Sequence, residues 1–153
     1  MKLRVLAVGK IREPYIAAAI DDFSRRLTRY EPFSMLEVAA SSGSDPERAM
    51  REEGERIIRA LEPSEPLWLL ERTGAQLGSV ELSERLRVHA DAGTTRLSIA
   101  IAGTYGASPA LLERATFAWS LSQLTFLHEW ARAIVLEQLY RAAKIARNEP
   151  YHH

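Results

Sequence analysis

The sequence predicts an α/β fold in which helices cover both faces of a mostly parallel β-sheet. Short apolar runs, typical of buried strands, alternate with segments whose apolar residues recur every three or four positions, typical of amphipathic helices. Such alternation favours a three-layer arrangement. No internal repeat or linker divides the 153 residues, a length usual for one compact domain. We therefore expect residues 1–153 to form a single domain.

Composition narrows the classes of function. The 20 Lys and Arg residues balance 20 Asp and Glu residues, so no global field draws the chain to nucleic acid or to an anionic membrane. The absence of cysteine excludes disulfides, thiolate metal sites and cysteine nucleophiles, and it suits a reducing compartment. The apolar run at the N-terminus is too short for a signal peptide or a membrane span. We expect a cytoplasmic protein without a membrane partner.

The first three predicted elements are a strand, a helix and a strand. Residues 3–8 are mostly apolar and end at Gly9, the pattern of a buried strand leaving a sheet. After Pro14, apolar residues recur at spacings of four, three and four, which places them on one helical face. Residues 33–38 form the second predicted strand. The residues of the helical face are Ile16, Ile20, Phe23 and Leu27.

A loop, a second helix and a third strand follow. Residues 39–44 are small and polar, which is typical of a flexible loop. Asp45 followed by Pro46 is an N-cap and first-turn pair, so a helix begins here and stops before Pro63. Residues 67–70 are apolar and predict the third strand. The apolar positions of the helix are Met50, Ile57, Ile58 and Leu61.

The second half of the chain continues the alternation. We expect a helix capped by Ser79 that ends near residue 90, and then an almost wholly apolar strand at residues 97–102. Ser108, followed by proline, repeats the cap signal and starts a short helix. The polar and apolar alternation of residues 120–126 predicts a strand. The apolar positions after Ser79 are Val80, Leu82, Leu86 and Val88.

A long last helix is predicted for about residues 128–147, and it carries cations and aromatic side chains. Arg141, Lys144 and Arg147 recur every three residues and form a basic edge suited to RNA phosphates. A solvated helix face, with cations favoured near its C-terminus, is the commoner explanation of such a pattern. Aromatic residues in this third of the chain can stack on bases, but core or dimer-interface positions are their commoner use. They are Trp119, Phe126, Trp130 and Tyr140.

Glycines directly after the fourth strand are a candidate ligand site. Ligands of parallel sheets usually lie at the carboxyl ends of the strands. The turn at residues 103–106 contains two glycines, so its backbone can approach an adenosine or a phosphate closely. A plain strand-to-helix turn uses glycine in the same way, and the run lacks the full GxGxxG pattern. Both interpretations stay open.

The C-terminal tail ends in a phenol and two imidazoles, at Tyr151, His152 and His153. The ordinary histidine pKa of about 6.5 suits proton transfer near neutrality. A frayed chain end or a cloning remnant explains the same residues. No pair of histidines or carboxylates has a recognisable ligand spacing, so we expect no metal.

Several motifs together resemble one family. They are the run at residues 118–128 through Arg132, the run at 137–142, the ending Tyr151-His152, the opening residues 1–9 and the turn at 101–103. In combination these residues closely resemble the ribosomal RNA large subunit methyltransferase H family, a small branch of the SPOUT methyltransferases. The resemblance spans essentially the whole chain.

The resemblance implies a fold detail, a reaction and partners. It implies a homodimer with a deep trefoil knot in the C-terminal half, which binds S-adenosylmethionine in the knot, mainly within residues 68–153. The implied reaction is methylation of ring nitrogen 3 of a pseudouridine in 23S ribosomal RNA. Because the net charge is zero, we expect weak activity on naked RNA and a need for the assembled ribosome. The knot rests on the resemblance alone, since chains generally do not thread loops.

The resemblance also implies site residues. The implied catalytic residues are His128, Arg132, Tyr151 and His152. In this hypothesis the tail closes over the target base, His152 assists proton removal and Arg132 stabilises the developing negative charge. The implied cofactor contacts are Leu70, Gly103, Ser122, Gln123, Leu124, Thr125, Phe126 and Leu127.

Two other interpretations remain at this stage. A SPOUT-type enzyme can act on a different RNA, such as tRNA. Alternatively, Ala102, Tyr105 and Leu127, which depart from the family's usual glycine, small or acidic residue and proline, mark a decayed site in a non-catalytic adenosine-binding or ribosome-binding module.

Overall fold

A computed structural model describes residues 1–151 and contains one five-stranded sheet in the order β2-β1-β4-β3-β5, in which every neighbouring pair of strands is parallel. The strands are β1 (Lys2–Val8), β2 (Phe33–Val38), β3 (Leu67–Gln76), β4 (Arg96–Ile101) and β5 (Phe117–Ser120). The helices are α1 (Pro14–Thr28), α2 (Pro46–Arg59), α3 (Ser79–Asp91), α4 (Pro109–Arg114) and α5 (His128–Ala146). The predicted α/β class and parallel sheet are confirmed.

The helices form two layers because the central strands are apolar on both faces. On β1, Val5 and Ala7 pack into the core shared with α1, α3 and α5, whereas Leu6 and Val8 pack into the core shared with α2 and α4. Successive side chains of a strand point to opposite faces, so a continuous apolar run requires a layer on each side. The predicted three-layer arrangement follows from this packing.

Local capping signals fix two helix starts. The Asp45 carboxylate accepts a hydrogen bond from the Glu47 N–H at 3.2 Å, and the Ser108 hydroxyl accepts one from the Leu111 N–H at 3.2 Å. Both predicted caps are confirmed. The predicted Ser79 cap is wrong, because Gly78 is the N-cap of α3 and makes no side-chain capping bond. In α3 the buried positions include Leu82, while Val80 and Val88 are exposed.

Two predicted strands differ from the structure. β3 continues to Gln76, since its second half pairs with β5 across an irregularity at Trp119. The strand predicted at residues 120–126 is wrong, because β5 ends at Ser120 and the chain then leaves the sheet. Two local hydrogen bonds stabilise the loop that follows β5. The Ser120 hydroxyl donates to the Ser122 carbonyl, and the Leu124 N–H donates to the Ser122 hydroxyl, both at 3.0 Å. Such bonds compete with a sheet ladder.

Between residues 1 and 151, no helix is both long and apolar enough to cross a membrane.

Candidate active site

Two cavities adjoin at the carboxyl edge of the sheet. The β3–β4 cavity lies beyond the end of β4, against residues 70–72 of β3, where β3 no longer pairs with β4, and the β1–β2 cavity lies beyond the ends of β1 and β2. Gly103 and His128 line both cavities and therefore mark the boundary between them. Ligands of parallel sheets bind at this edge, so the two cavities are the candidate site.

The β3–β4 cavity, of about 230 Å³, brings together most of the predicted cofactor residues. It lies between the middle of β3, the turn after β4 and the loop that precedes α5. The predicted residues on its wall are Leu70, Gly103, Ser122, Leu124, Thr125 and Phe126. Residues distant in sequence thus form one wall that combines apolar side chains with hydroxyls, as ligand sites commonly do.

Two predicted cofactor residues lie off this wall. Gln123 lines a neighbouring shallow cavity with Arg72 and Thr73. Leu127 is 67% exposed and is the N-cap of α5, where it makes no side-chain capping bond. The loop therefore turns some of its side chains toward the cavity and others away from it.

The β1–β2 cavity is larger, about 830 Å³, and more polar. Three carboxylates and two cations lie on its wall, together with backbone groups that follow β1 and β2. The charged residues are Lys10, Arg12, Glu37, Glu53 and Glu129. None of these five residues was predicted as a site residue; Lys10, Arg12, Glu37 and Glu129 each resemble an ordinary surface charge when taken alone.

Glu53 carried a signal that was available in the sequence. Ala49, Glu53 and Ile57 are spaced by four residues on α2, and all three are buried. A carboxylate at a buried helical position is rare unless it has a partner or a function. This position on the apolar face was therefore the indication that could have identified Glu53.

Gly103 is required by the close approach of Glu53. A Cβ atom at residue 103 would overlap the Glu53 Oε2 atom and would lie 3.1 Å from Val8 Cγ1. The turn continues to Gly106, whose N–H donates to the Gly103 carbonyl at 3.0 Å and whose φ of +89° favours glycine. The glycine turn thus serves close packing at residue 103 and backbone geometry at residue 106.

His128 is the first residue of α5 and borders both cavities. Burial lowers the pKa of the His128 imidazole, and the nearby Arg132 charge lowers it further. The imidazole is therefore neutral near pH 7 and has a nitrogen that can accept a proton.

Glu129 connects the start of α5 to the chain after β1. Its carboxylate accepts hydrogen bonds from the Arg12 N–H at 2.9 Å and the Glu13 N–H at 3.3 Å. Burial acts to raise the pKa of Glu129, but these two amides together with nearby positive charge, including that of Arg132, hold the pKa below its usual value. Glu129 is consequently an anion that fixes the wall of the β1–β2 cavity.

Arg132 is fully buried behind the same wall. Its guanidinium donates a short hydrogen bond to the Val8 carbonyl and lies 3.6 Å from the Glu37 carboxylate. Burial lowers the pKa of Arg132, and the charges of Glu37 and Glu129 oppose that effect. Val8 and Glu37 both line the β1–β2 cavity, so the positive charge lies directly behind it.

Tyr151 lies away from His128 of its own chain. Its hydroxyl donates to the Glu137 carboxylate, and the Arg141 guanidinium lies 3.5 Å from the centre of its ring. Glu137 is nine residues beyond His128 on α5, about 13 Å along the helix axis. Burial and the Glu137 contact raise the pKa of Tyr151 to about 12, so its phenol is a proton donor at neutral pH. His152 lies outside the described residues.

The basic edge predicted on the last helix is occupied by acidic partners from the same chain. Arg141 pairs with Glu137 at 2.9 Å, Lys144 pairs with Glu149 at 2.8 Å, and Arg147 pairs with Glu31 at 3.4 Å. These pairs favour the interpretation of a solvated helix end over a preformed phosphate site. Among the aromatic residues, Trp119 and Tyr140 are buried in the core, whereas Phe126 and Trp130 are exposed.

Within residues 1–151, no group of three or more His, Asp or Glu side chains is arranged to hold a metal ion.

The fold and the site together define the class of protein. It is an α/β protein with two adjoining cavities at the carboxyl edge of a parallel sheet. The chain belongs to the SPOUT methyltransferase family, since the family model described as "Predicted SPOUT methyltransferase" matches residues 1–152.

Relatives of similar length carry a more specific name. Proteins named "Ribosomal RNA large subunit methyltransferase H" from Trichlorobacter lovleyi and Pelobacter propionicus are 42% and 41% identical, and each match covers both chains completely. The protein of that name from Gloeobacter violaceus is 40% identical, with 100% of this chain and 99% of the relative covered. The family resemblance inferred from the motifs is therefore confirmed.

Proposed function

We propose that this chain transfers a methyl group from S-adenosylmethionine to ring nitrogen 3 of a pseudouridine in 23S ribosomal RNA, within the assembled ribosome in the cytoplasm. The observation that carries the proposal is the meeting of two cavities at Gly103 and His128. One cavity is lined by the residues expected to hold the cofactor, and the other is larger and polar. The names of the full-length relatives support the choice of ribosomal RNA.

The β3–β4 cavity suits the cofactor because Gly103, which has no side chain, lies on its wall. Gly103 leaves its backbone open to a ligand, while Leu70 and Phe126 supply apolar contacts for an adenine ring. The hydroxyls of Ser122 and Thr125 are on the same wall and can bond the polar groups of the ligand. The cofactor supplies a methyl group on a sulfonium, which is transferred by in-line displacement, so the chain chiefly aligns the reactants and excludes water.

The target base must lose a proton, and residues at the second cavity suit that requirement. Nitrogen 3 of a uracil-type ring holds a proton and becomes a good nucleophile only when the proton leaves. The neutral imidazole of His128 lies at the boundary of the two cavities, and the buried Arg132 charge lies behind the wall, where it stabilises an anionic ring. We assign proton removal to His152, with His128 as the neighbouring acceptor.

The position of Tyr151 supports a dimeric active site. Because Tyr151 contacts α5 about 13 Å along its axis from His128, we infer that the tail serves the site of a partner chain. Exposed apolar side chains near the start of α5 support a homodimer: Tyr15, Leu127 and Trp130 are exposed, and the rings of Tyr15 and Trp130 lie 5.8 Å apart. Residues 68–153 would form the trefoil knot and most of the cofactor site of a single-domain subunit.

The test is transfer of a labelled methyl group from S-adenosylmethionine to three substrates: ribosomes lacking the modification, protein-free 23S RNA and tRNA. The proposal expects strong labelling of ribosomal 23S RNA and weak labelling of the naked RNA, because the neutral chain gains little from phosphate attraction alone. Labelling of tRNA would mean that the protein is a methyltransferase whose substrate is tRNA and not 23S RNA. Cofactor binding without labelling of any RNA would favour a non-catalytic binding module.

A further inference from the structure

The carboxylate of Glu53 is buried and only half satisfied. Glu53 is 7% exposed, and its Oε1 atom accepts a hydrogen bond from the Ser41 N–H at 2.9 Å. Its Oε2 atom is buried and has no hydrogen-bond partner among residues 1–151. Buried polar atoms are normally paired, so an unpaired carboxylate oxygen calls for a donor from outside the described chain.

The surroundings of Glu53 indicate what kind of donor is missing. Glu53 lies on the wall of the β1–β2 cavity and packs against Gly103, at the boundary with the β3–β4 cavity. Lys10 and Arg12 line the same cavity, but within residues 1–151 no cation lies within 4 Å of the Glu53 carboxylate. The carboxylate thus faces a cavity large enough for a nucleoside, without a counter-charge from the described chain.

We propose that Glu53 Oε2 accepts a hydrogen bond from the N1–H of the target pseudouridine and thereby selects pseudouridine over uridine. This inference rests on the proposed function. Pseudouridine is joined to ribose through carbon, so its N1–H is free, whereas uridine has a C–H at the equivalent position. Glu53 lies against Gly103 at the boundary of the two cavities, and N1 and N3 of the base flank the same ring carbon, so a base whose N3 faces that boundary also brings its N1–H close to Glu53.

The chemistry of a buried carboxylate explains the selectivity. Pseudouridine supplies the missing donor, and a bond to a charged acceptor is stronger than one between neutral groups. Uridine in the same orientation places a C–H against the carboxylate and leaves Oε2 unpaired. A site built to bond a polar group strongly rejects an analogue that lacks that group.

The test compares wild type with Glu53→Gln on ribosomes that carry either pseudouridine or uridine at the target position. Glutamine has one acceptor oxygen for two donors, the Ser41 N–H and the base N1–H, so one of the bonds is lost. We expect kcat/KM on the pseudouridine substrate to fall about 10- to 100-fold, with little change on the uridine substrate. Glu55→Gln is the matched control, because Glu55 lies on the same helix and is exposed.

Three outcomes would overturn the inference. One is a fall by the same factor on both substrates in Glu53→Gln, as expected for a merely structural role; another is a wild-type rate of Glu53→Gln on both substrates. The third needs no variant: equal rates of the wild-type protein on the two substrates. Calorimetry with S-adenosylmethionine shows whether Glu53→Gln keeps a folded cofactor site. If wild type labels neither ribosome, the proposed function itself fails, which is a distinguishable result.

Discussion

The carboxylate of Glu53 lies against Gly103 so closely that any side chain at residue 103 would overlap it. Glu53 comes from α2, and Gly103 follows the central strand β4, so the contact joins a covering helix to the turn at which both cavities meet. The missing side chain at residue 103 keeps space free for the carboxylate. This relationship links the packing of the fold to the geometry of the site.

Substitution of Gly103 tests that link. In Gly103→Ala the new methyl group displaces Glu53 or Val8, so we expect a loss of about 1–3 kcal/mol in the free energy of unfolding and weaker binding of S-adenosylmethionine. Urea unfolding and calorimetry measure the two effects. Gly78→Ala, where a Cβ meets nothing within 4 Å, is the control and should cost no more than about 1 kcal/mol. Wild-type stability and affinity in Gly103→Ala would refute the account.

The histidine at the cavity boundary predicts a pH dependence of stability. Burial and Arg132 lower the pKa of His128 in the folded state, so the unfolded chain, with a pKa of about 6.5, binds this proton more tightly. The free energy of unfolding therefore falls as the pH drops from 6.5 toward the lower folded pKa. Urea unfolding near neutral pH and near pH 5.5 should show a smaller loss in His128→Gln than in wild type.

A second histidine provides a comparison for that measurement. Burial and the Arg85 charge lower the pKa of His89, which lies far from the cavity boundary, on α3. His89→Gln should therefore also reduce the acid-induced loss of stability, but it should leave cofactor binding unchanged. Identical pH profiles for wild type and both variants would contradict the assigned pKa directions.

The tail predicts complementation between subunits. A chain truncated after Pro150 lacks Tyr151 and His152 but keeps the β3–β4 cavity, so we expect it to bind S-adenosylmethionine with little change and to lose methyl transfer at least 10-fold. Co-purified dimers that contain one truncated chain and one Gly103→Ala chain should regain up to half of the activity. If a homodimer of truncated chains keeps wild-type activity, the tail takes no part in methyl transfer.

The contacts of Tyr151 allow a finer variant. Tyr151→Phe removes the hydroxyl that donates to Glu137 but retains the ring that packs against Arg141 and Tyr140. We expect a fall in stability of about 1 kcal/mol from the lost hydrogen bond and a smaller loss of activity than truncation causes. Thermal unfolding and the methyl-transfer assay give the two values. A loss as large as that of truncation would assign the whole effect to the hydroxyl.

The Ser108 cap lines neither cavity, so its loss should affect stability alone. Ser108→Ala removes the acceptor for the Leu111 N–H and should cost about 1 kcal/mol, without a change in cofactor affinity. Ser79→Ala is the matched control, since Ser79 lies within the first turn of α3 and makes no capping bond. Chemical unfolding of both variants measures the difference. If both variants lose the same free energy of unfolding, the hydrogen bond of Ser108 does not contribute to stability.

Local sequence signals predicted much of the fold. The caps at Asp45 and Ser108 and the apolar strands could be predicted from the sequence, because a helix start or a buried strand depends on adjacent residues. The strand expected at residues 120–126 failed because Leu124, at an apolar position of the alternation, is 72% exposed and the serine bonds bend the chain out of the sheet. Alternation alone does not reveal whether a neighbouring strand is present.

The site was only partly predictable for the same reason. Residues 122–126 and Gly103 were identified by resemblance, and the fold brings most of them to one cavity. The second cavity depends on residues from β1, β2, α2 and α5 that meet only when the sheet order is set, which no local pattern encodes. Glu53 was the exception, since a carboxylate on an apolar helical face is visible in the sequence.

The most direct test of the central claim is nucleoside mass spectrometry of 23S RNA after incubation of unmodified ribosomes with the protein and S-adenosylmethionine. The account predicts one new nucleoside, pseudouridine with a methyl group on nitrogen 3, in wild-type reactions and its loss when the tail is removed. A methyl group on another atom or another nucleoside, or an unmodified 23S RNA despite cofactor binding, would contradict it.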